Sequence, residues 1–244
     1  MTRFAQLSDV HLNGNPERHH RFLRALDQAR YSGCDHLLLT GDLTAWGKHH
    51  QFVELACALS DWPSESVTLV AGNHDGGPER WRKMLRGPLR RFCATSWPGK
   101  VLDFGDALLV PIDTTLSRRP PLFWALGNVD APQLGLLDAL THPGTAPNRS
   151  IVIAMHHGPQ LHPLQLFEGL TNRNQINALL QRGPHVSICC GHDHRALDLG
   201  QVYTAASVAH HPDPLRLYEI RNRQLVPIYR TNEPGDYWQM LVTT

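Results

Sequence analysis

The sequence predicts a layered α/β fold. Short apolar runs stop at polar clusters, most are followed by a segment of helical periodicity, and several runs end in side chains able to hold a metal ion. The first run, Phe4 to Leu7, stops at Ser8-Asp9-Val10-His11. Pro16 to Arg30 then carries Phe22, Leu23, Leu26 and Ala29 at helical spacing and reads as a crossover helix. Leu37 to Leu39 leads into Thr40-Gly41-Asp42, and His49 to Leu59 reads as a second helix through Phe52, Leu55, Ala56 and Leu59. Val67 to Val70 leads into Gly72-Asn73-His74-Asp75.

The second half keeps the habit. Ala107 to Ile112 ends at Asp113, Ile151 to Met155 ends at His156-His157, and Val186 to Cys190 ends at Gly191-His192-Asp193-His194. Helices are expected over Pro132 to Leu140 and Asn174 to Gln181. After Arg195 the closely spaced segments Gln201 to Ala205, Leu215 to Ile220 and Leu225 to Tyr229 predict strands forming a second sheet edge. Thr114 to Asp130, Gly158 to Gly169 and the tail from Thr231 lack periodicity, and the first two are expected as rim loops.

The 244 residues, 41% hydrophobic and 18% charged, suit a soluble chain with a sizeable core, and we expect residues 1–244 to form one domain. Lys and Arg number 23 against 22 acidic residues, so no basic surplus points to nucleic acid as the main partner. The five cysteines are odd in number and lack CxxC spacing, which predicts reduced thiols, with Cys189 and Cys190 packed in an apolar strand. The chain reaches Asp9 before any long apolar run could form. Neither a signal peptide nor a spanning helix is therefore expected, no membrane partner is expected, and a cytoplasmic location is the default.

The unusual feature is 16 histidines and where they fall. Asp9 with His11, Asp42, Asn73 with His74, His156, and His192 with His194 each follow a different apolar run, the right place for a site outside a sheet edge. On an extended segment Asp9 and His11 would face the same way and could grip one ion, as would His192 and His194. Carboxylate and amide oxygens mixed with imidazole nitrogens favour Mn, Fe or Zn.

The ordered blocks DxH, GDxx, GNHD, H and GHxH resemble the calcineurin-like metallophosphoesterase superfamily, from Phe4 to about Ala206. The stretch Asp113, Gly127, Gln133-Leu134 and Leu137 is similar to the segment before the fifth ligand strand in small bacterial class III phosphodiesterases, whose known substrates include cyclic nucleotides and glycerophosphodiesters. The resemblance implies a four-layer αββα sandwich of two mixed β-sheets flanked by helices, with two metal ions. Asp9, His11 and His194 would hold one ion, Asn73, His156 and His192 the other, and Asp42 would bridge them. Of the pair His156-His157, His156 is favoured because it follows the strand immediately.

Two cations roughly 3.5–4 Å apart can clamp a phosphate, activate a bound water for attack on phosphorus and stabilise both oxygens of an in-line displacement. His74 would stand outside the metal shell and donate a proton to the leaving alkoxide. The expected function is hydrolysis of a small-molecule phosphodiester. Phosphomonoester, phosphoprotein or nucleotide pyrophosphate hydrolysis is the alternative; a non-enzymatic scaffold is disfavoured by the intact ligand set, and a nuclease by the near-neutral charge.

Other residues receive blander readings. His19-His20, His49-His50 and His210-His211 lack carboxylate partners in the sequence pattern and read as solvated faces. His157 is balanced between touching phosphate and packing, and Asp75 stands where it could orient His74. Arg118, Arg119, Phe123 and Trp124 fit a solvated loop with a packed aromatic better than a substrate rim. Gly41, Gly72 and Gly191 are expected to turn the backbone sharply before a ligand.

Overall fold

The computed structural model describes residues 1–116, 125–146, 148–160 and 168–228. The first half builds strands β1 (Arg3–Leu7), β2 (His36–Thr40) and β3 (Val67–Val70), with helices α1 (Pro16–Tyr31) and α2 (His49–Ala58) as the connections. Helix α3 (Pro78–Arg86) and the short α4 (Cys93–Ser96) follow, then β4 (Leu102–Asp103) and β5 (Ala107–Pro111). Next come β6 (Ala125–Gly127), α5 (Ala131–Thr141), β7 (Ser150–Ala154), β8 (Glu168–Leu170), α6 (Arg173–Leu180) and β9 (Val186–Cys190). Four strands close the described chain: β10 (Leu197–Leu199), β11 (Val202–Thr204), β12 (Arg216–Arg221) and β13 (Gln224–Ile228).

The helices start where the local chemistry dictates. The Asn15 side chain accepts hydrogen bonds from the N–H groups of Glu17 and Arg18, and Pro16 occupies the first turn, where its missing donor costs nothing. Asp130 caps α5 in the same way through the Gln133 N–H. Helix α3, absent from the sequence expectations, buries Trp81, Met84 and Leu85 at helical spacing.

Two large sheets result, with strand orders β13-β12-β1-β2-β3 and β10-β11-β9-β7-β5-β4, and β6 pairs with β8 beside them. The central pairs are parallel: β1 with β2, β2 with β3, β5 with β7, β7 with β9 and β9 with β11. Parallel pairing brings the carboxyl ends of these strands to one edge of each sheet. The strands after Arg195 do not make a single sheet edge as expected. The β10–β11 hairpin completes one sheet and the β12–β13 hairpin the other.

Burial shows the four layers. Phe22, Ala25, Leu26 and Ala29 of α1, with Phe52 of α2 and Trp81 of α3, pack with Leu37 and Leu39 on the outer face of the first sheet. Leu137 of α5 and Ile176 of α6 cover Ile151, Ile153 and Ile188 of the second. Between the sheets, Phe4, Leu38, Val70 and Tyr218 meet Leu109, Val152, Ala154 and Cys189. This is an αββα sandwich. A polar link crosses it: the Tyr218 hydroxyl donates to Gln6 Oε1 at 2.7 Å, and Gln6 Nε2 donates to the Cys190 carbonyl at 2.9 Å. The five cysteines are free thiols, and burial pushes Cys189 up to about 12, as expected of a packing residue. Among the described residues no helix is long and apolar enough to cross a membrane.

His36 in β2 is fully buried, with its ring edge-on to Phe4 and Phe104 and its Nε2 paired with Thr68 Oγ1 at 2.8 Å. Burial holds it neutral, with a pKa near 3 against 6.5 when exposed. Unfolding lets this histidine take up a proton that the folded state refuses. Its contribution to stability is therefore complete above pH 6.5 and is lost as the pH falls toward 3. In urea titrations across that window, the stability of the wild type relative to His36→Gln should fall by about 1.4 kcal/mol per pH unit. A difference that stays flat with pH contradicts the neutral assignment.

Candidate metal centre

Every residue assigned to the site from sequence lies in a loop that leaves the carboxyl end of a strand in one of the two sheets. Asp9 and His11 follow β1, Asp42 follows β2, and Asn73 and His74 form a single 3₁₀ turn after β3. His156 follows β7, and His192 and His194 follow β9.

The local backbone differs from the extended segments expected. Asp9, His11, Asp42, His192 and His194 have φ of 53°, 49°, 49°, 74° and 56°. Left-handed conformations in non-glycine residues cost on the order of 1–3 kcal/mol each and persist where the surroundings over-determine them. Here the Asp9 N–H donates to the Gly41 carbonyl at 3.0 Å, His11 N–H to the Asp42 carbonyl at 2.9 Å, and His192 N–H to Asp9 Oδ2 at 3.2 Å. The loops after β1, β2 and β9 thereby fix one another.

Glycine enters mainly through space. Gly41 does turn the chain, at φ 95°, but a Cβ there would also lie 2.3 Å from His156 Nδ1. Gly72 has an ordinary φ of −109°, and a Cβ would stand 2.2 Å from the Asp42 nitrogen. At Gly191 the obstruction would be Ser8 Oγ at 1.9 Å. The expectation of a sharp turn is thus corrected at Gly72 and Gly191: close approach of neighbouring loops excludes a side chain there.

Asp42 sits at the middle of the cluster. Its Oδ2 lies 3.3 Å from His156 Nε2 and 3.8 Å from both His11 Nε2 and His74 Nε2. On one side Asp9 Oδ1 is 3.2 Å from His194 Nε2, which is 3.4 Å from His11 Nε2. On the other, His156 Nε2 is 3.1 Å from Asn73 Oδ1, and the His156 ring meets that of His192 with centroids 5.2 Å apart. Ligand-capable atoms of Asp9, His11 and His194 lie within 4.8 Å of one another, as do those of Asp9, Asp42 and His156. The structure therefore brings all eight predicted residues together.

Asp9 and Asp42 are both buried, which alone would raise their pKa values. His194 and His156 near Asp9, and His156, His74 and His11 near Asp42, instead hold both carboxyls below the usual range. Burial also pushes His11 down to about 4, against the pull of Asp42 and Asp9, so it is a neutral imidazole. His156 goes the other way. Burial opposes its charge, but Asp42 and Asp9 raise it to about 9.

The supporting shell was mostly invisible in sequence because it is backbone. His156 Nδ1 pairs with the Thr40 carbonyl at 2.9 Å and His74 Nδ1 with the Ala45 carbonyl at 2.8 Å, which turns each Nε2 toward Asp42. Asp75 makes no hydrogen bond to the His74 ring among the described residues. Its carboxylate accepts from the N–H groups of Leu43, Thr44 and Gly72 and from the Thr44 hydroxyl, at 2.8–3.1 Å. It acts on His74 indirectly, by fixing the loop that carries the Ala45 carbonyl. His157 is buried, with Nδ1 2.7 Å from Thr114 Oγ1, and its ring is 4.6 Å from that of His192. Gln133 clasps both backbone groups of Asp113, which accounts for the Asp113 to Gln133 sequence signal.

Two bland readings need correction. His19 does have a carboxylate partner, Glu54 at 3.0 Å, because α1 and α2 lie close enough for the side chains to meet. His210 is exposed, yet its ring stacks on His194 at 5.7 Å and 28°. The residues Arg118, Arg119, Phe123 and Trp124 lie outside the described residues.

The fit of a cation is tested by one atom. Asp9 Oδ1 is buried and accepts no hydrogen bond among the described residues, although two imidazole nitrogens stand 3.2 and 4.0 Å away. A buried carboxylate oxygen left in this state, among imidazole nitrogen and amide oxygen donors, is suited to a divalent ion.

Comparison with known proteins bears on the fold and the family. No curated protein sequence matches the chain. Among solved structures, a dimetal phosphatase from Danio rerio superposes with a TM-score of 0.66 at 16% identity, covering 93% of this chain and 98% of its own. A Thermus thermophilus protein gives 0.57 at 14% identity over 93% and 97%. A putative 5′-nucleotidase from Staphylococcus aureus gives 0.51 at 14% identity, covering 95% of this chain and 55% of that one. These likenesses establish the fold. The calcineurin-like phosphoesterase family model matches residues 2–196, which span all the loops described, and the chain belongs to that family of metal-dependent phosphoester hydrolases.

Proposed function

We propose that the protein hydrolyses a small-molecule phosphodiester with two cations, of Mn, Fe or Zn. Asp9, His11 and His194 would hold one, Asn73, His156 and His192 the other, and Asp42 would bridge them. The observation that carries this is the position of Asp42 Oδ2, within 3.8 Å of His11 in the first set and 3.3 Å of His156 in the second. When bound, such a pair supplies positive charge for the phosphoryl oxygens and lowers the pKa of water.

The chain's own residues do the rest. The Ala45 carbonyl keeps the His74 Nδ1–H engaged, so Nε2 is the atom available to pass a proton to the departing alkoxide. The His74 side chain is 26% exposed and that of His194 40%, so the centre is open to solvent on this side and can admit substituents on two phosphoryl oxygens. That openness, with the sequence stretch Asp113, Gly127, Gln133-Leu134 and Leu137 that resembles small phosphodiesterases, supports the diester preference. A phosphomonoester reading draws on neighbours described as 5′-nucleotidases, from Staphylococcus aureus and Candida albicans.

With Mn added, bis(p-nitrophenyl) phosphate should be hydrolysed faster than p-nitrophenyl phosphate; a strong monoester preference would replace the diester reading. Asp42→Ala should lose bound metal, by elemental analysis, together with activity. His74→Ala should retain metal and lose about 10²–10⁴ in kcat, most severely with poor leaving groups. Equal metal loss in both variants removes the division of roles. Gly72→Ala, which drives a methyl into the Asp42 loop, should weaken metal binding by about 10–100-fold in a chelator competition. Wild-type affinity would show that this close approach is unimportant.

A further inference from the structure

One cavity beside the centre is left unused by the chemistry above. It has a volume of about 390 Å³ and is lined by Arg21, Arg24 and Gln28 of α1 and by His210 and His211 from the segment between β11 and β12. Among the described residues no carboxylate lines it. Arg21 shares its charge with the exposed Glu17 at 2.7 Å, while Arg24 has no ion pair among the described residues.

The cavity is rigidly tied to the metal loops. The His210 ring stacks on His194 with centroids 5.7 Å apart. Ser207 Oγ donates to the Asp9 carbonyl at 2.9 Å, and the Ala209 N–H donates to the same oxygen at 3.3 Å. Arg21 Nη1 donates to the Ala209 carbonyl at 3.4 Å. One wall is therefore built on the backbone that carries Asp9, and its distance from the centre is set by the fold.

Two guanidinium groups and two imidazoles, with no opposing carboxylate among the described residues, match a compact dianion. Arginine forks in particular match the oxygens of phosphate. The volume is at the lower end of the range for small-molecule sites, room for a phosphate and the few atoms attached to it. A net charge of +1 for the whole chain does not support an extended polyanion track.

We propose, resting on the phosphodiesterase reading of the centre, that this cavity binds a second phosphate group carried on the same molecule as the phosphodiester that is cleaved. The preferred substrates are then phosphodiesters with an additional phosphomonoester at short range, and Arg21 and Arg24 determine that preference.

A matched pair of substrates tests this: thymidine 5′-(p-nitrophenyl phosphate) and the same compound with a 3′-phosphate. With Mn-loaded wild-type protein, the 3′-phosphorylated ester should have a KM about tenfold lower. In Arg24→Glu, an exposed position where folding is not at risk, the ratio of the two KM values should collapse toward one, and Arg21→Gln should move it the same way. Equal KM values in the wild type, or a ratio unmoved by Arg24→Glu, overturn the proposal while leaving the hydrolase intact. If neither ester is cleaved, the hydrolytic reading fails, and calorimetric titration of thymidine 3′,5′-bisphosphate into the metal-free protein decides the cavity. Binding weakened about tenfold by Arg24→Glu supports it, and binding indifferent to the substitution overturns it. A single-stranded oligonucleotide that competes better than the bisphosphate overturns it in favour of nucleic acid.

Discussion

Two carboxylates, Asp9 and Asp42, are buried within reach of the same histidine, and the organisation of the catalytic edge follows from that constraint. An ionised carboxylate taken out of water costs several kcal/mol unless positive charge and hydrogen bonds replace the solvent. In the chain alone His156 supplies that charge: its Nδ1 pairs with the Thr40 carbonyl and its Nε2 faces Asp42 Oδ2. A cation held there would offset both carboxylates, and His156, were it a ligand, would bind as the neutral ring.

Convergence of the loops is a consequence of parallel pairing, and their close fit is a consequence of what was left out. Parallel β1, β2 and β3 deliver three loops to one edge, and parallel β5, β7, β9 and β11 deliver the others across the sandwich. For these loops to touch, side chains must be absent at Gly41, Gly72 and Gly191, and five predicted ligand residues must accept left-handed backbone. That strain is offset by the reciprocal backbone hydrogen bonds between loops and by the inter-sheet core around Phe4 and Val152. The scaffold over-determines the centre, as a preorganised site requires.

The strands and the candidate ligands were legible because their signals are local: an apolar run, then a chemistry-bearing side chain. Segment ends agree with the sequence reading to within about two residues at α1, α2, β3 and β9. What sequence could not carry was either backbone or long-range. The Thr40 and Ala45 carbonyls that orient His156 and His74 have no side-chain signature. The division of the last four strands between two sheets is made by the pairing of β11 with β9 and of β12 with β1, and local periodicity carries no trace of that pairing. Asp75 stands beside His74 in sequence, but its bonds run to Leu43, Thr44 and Gly72, partners fixed only by the fold. The pairing of His19 with Glu54 was hidden for the same reason.

The arginines of α1 show why the substrate is harder to read than the reaction. On a helix of the observed pattern, Phe22, Ala25, Leu26 and Ala29 mark the buried face and leave Arg21 and Arg24 to be read as solvated charges. Nothing in α1 itself distinguishes a solvated arginine from one that faces a second element. Only the path of the chain after β11, which carries His210 onto His194 and His211 toward α1, turns part of a polar helix surface into the wall of a cavity. The bimetal-type core is shared across the family and recognises a phosphoryl group; selectivity then has to come from surfaces outside it, assembled by elements distant in sequence.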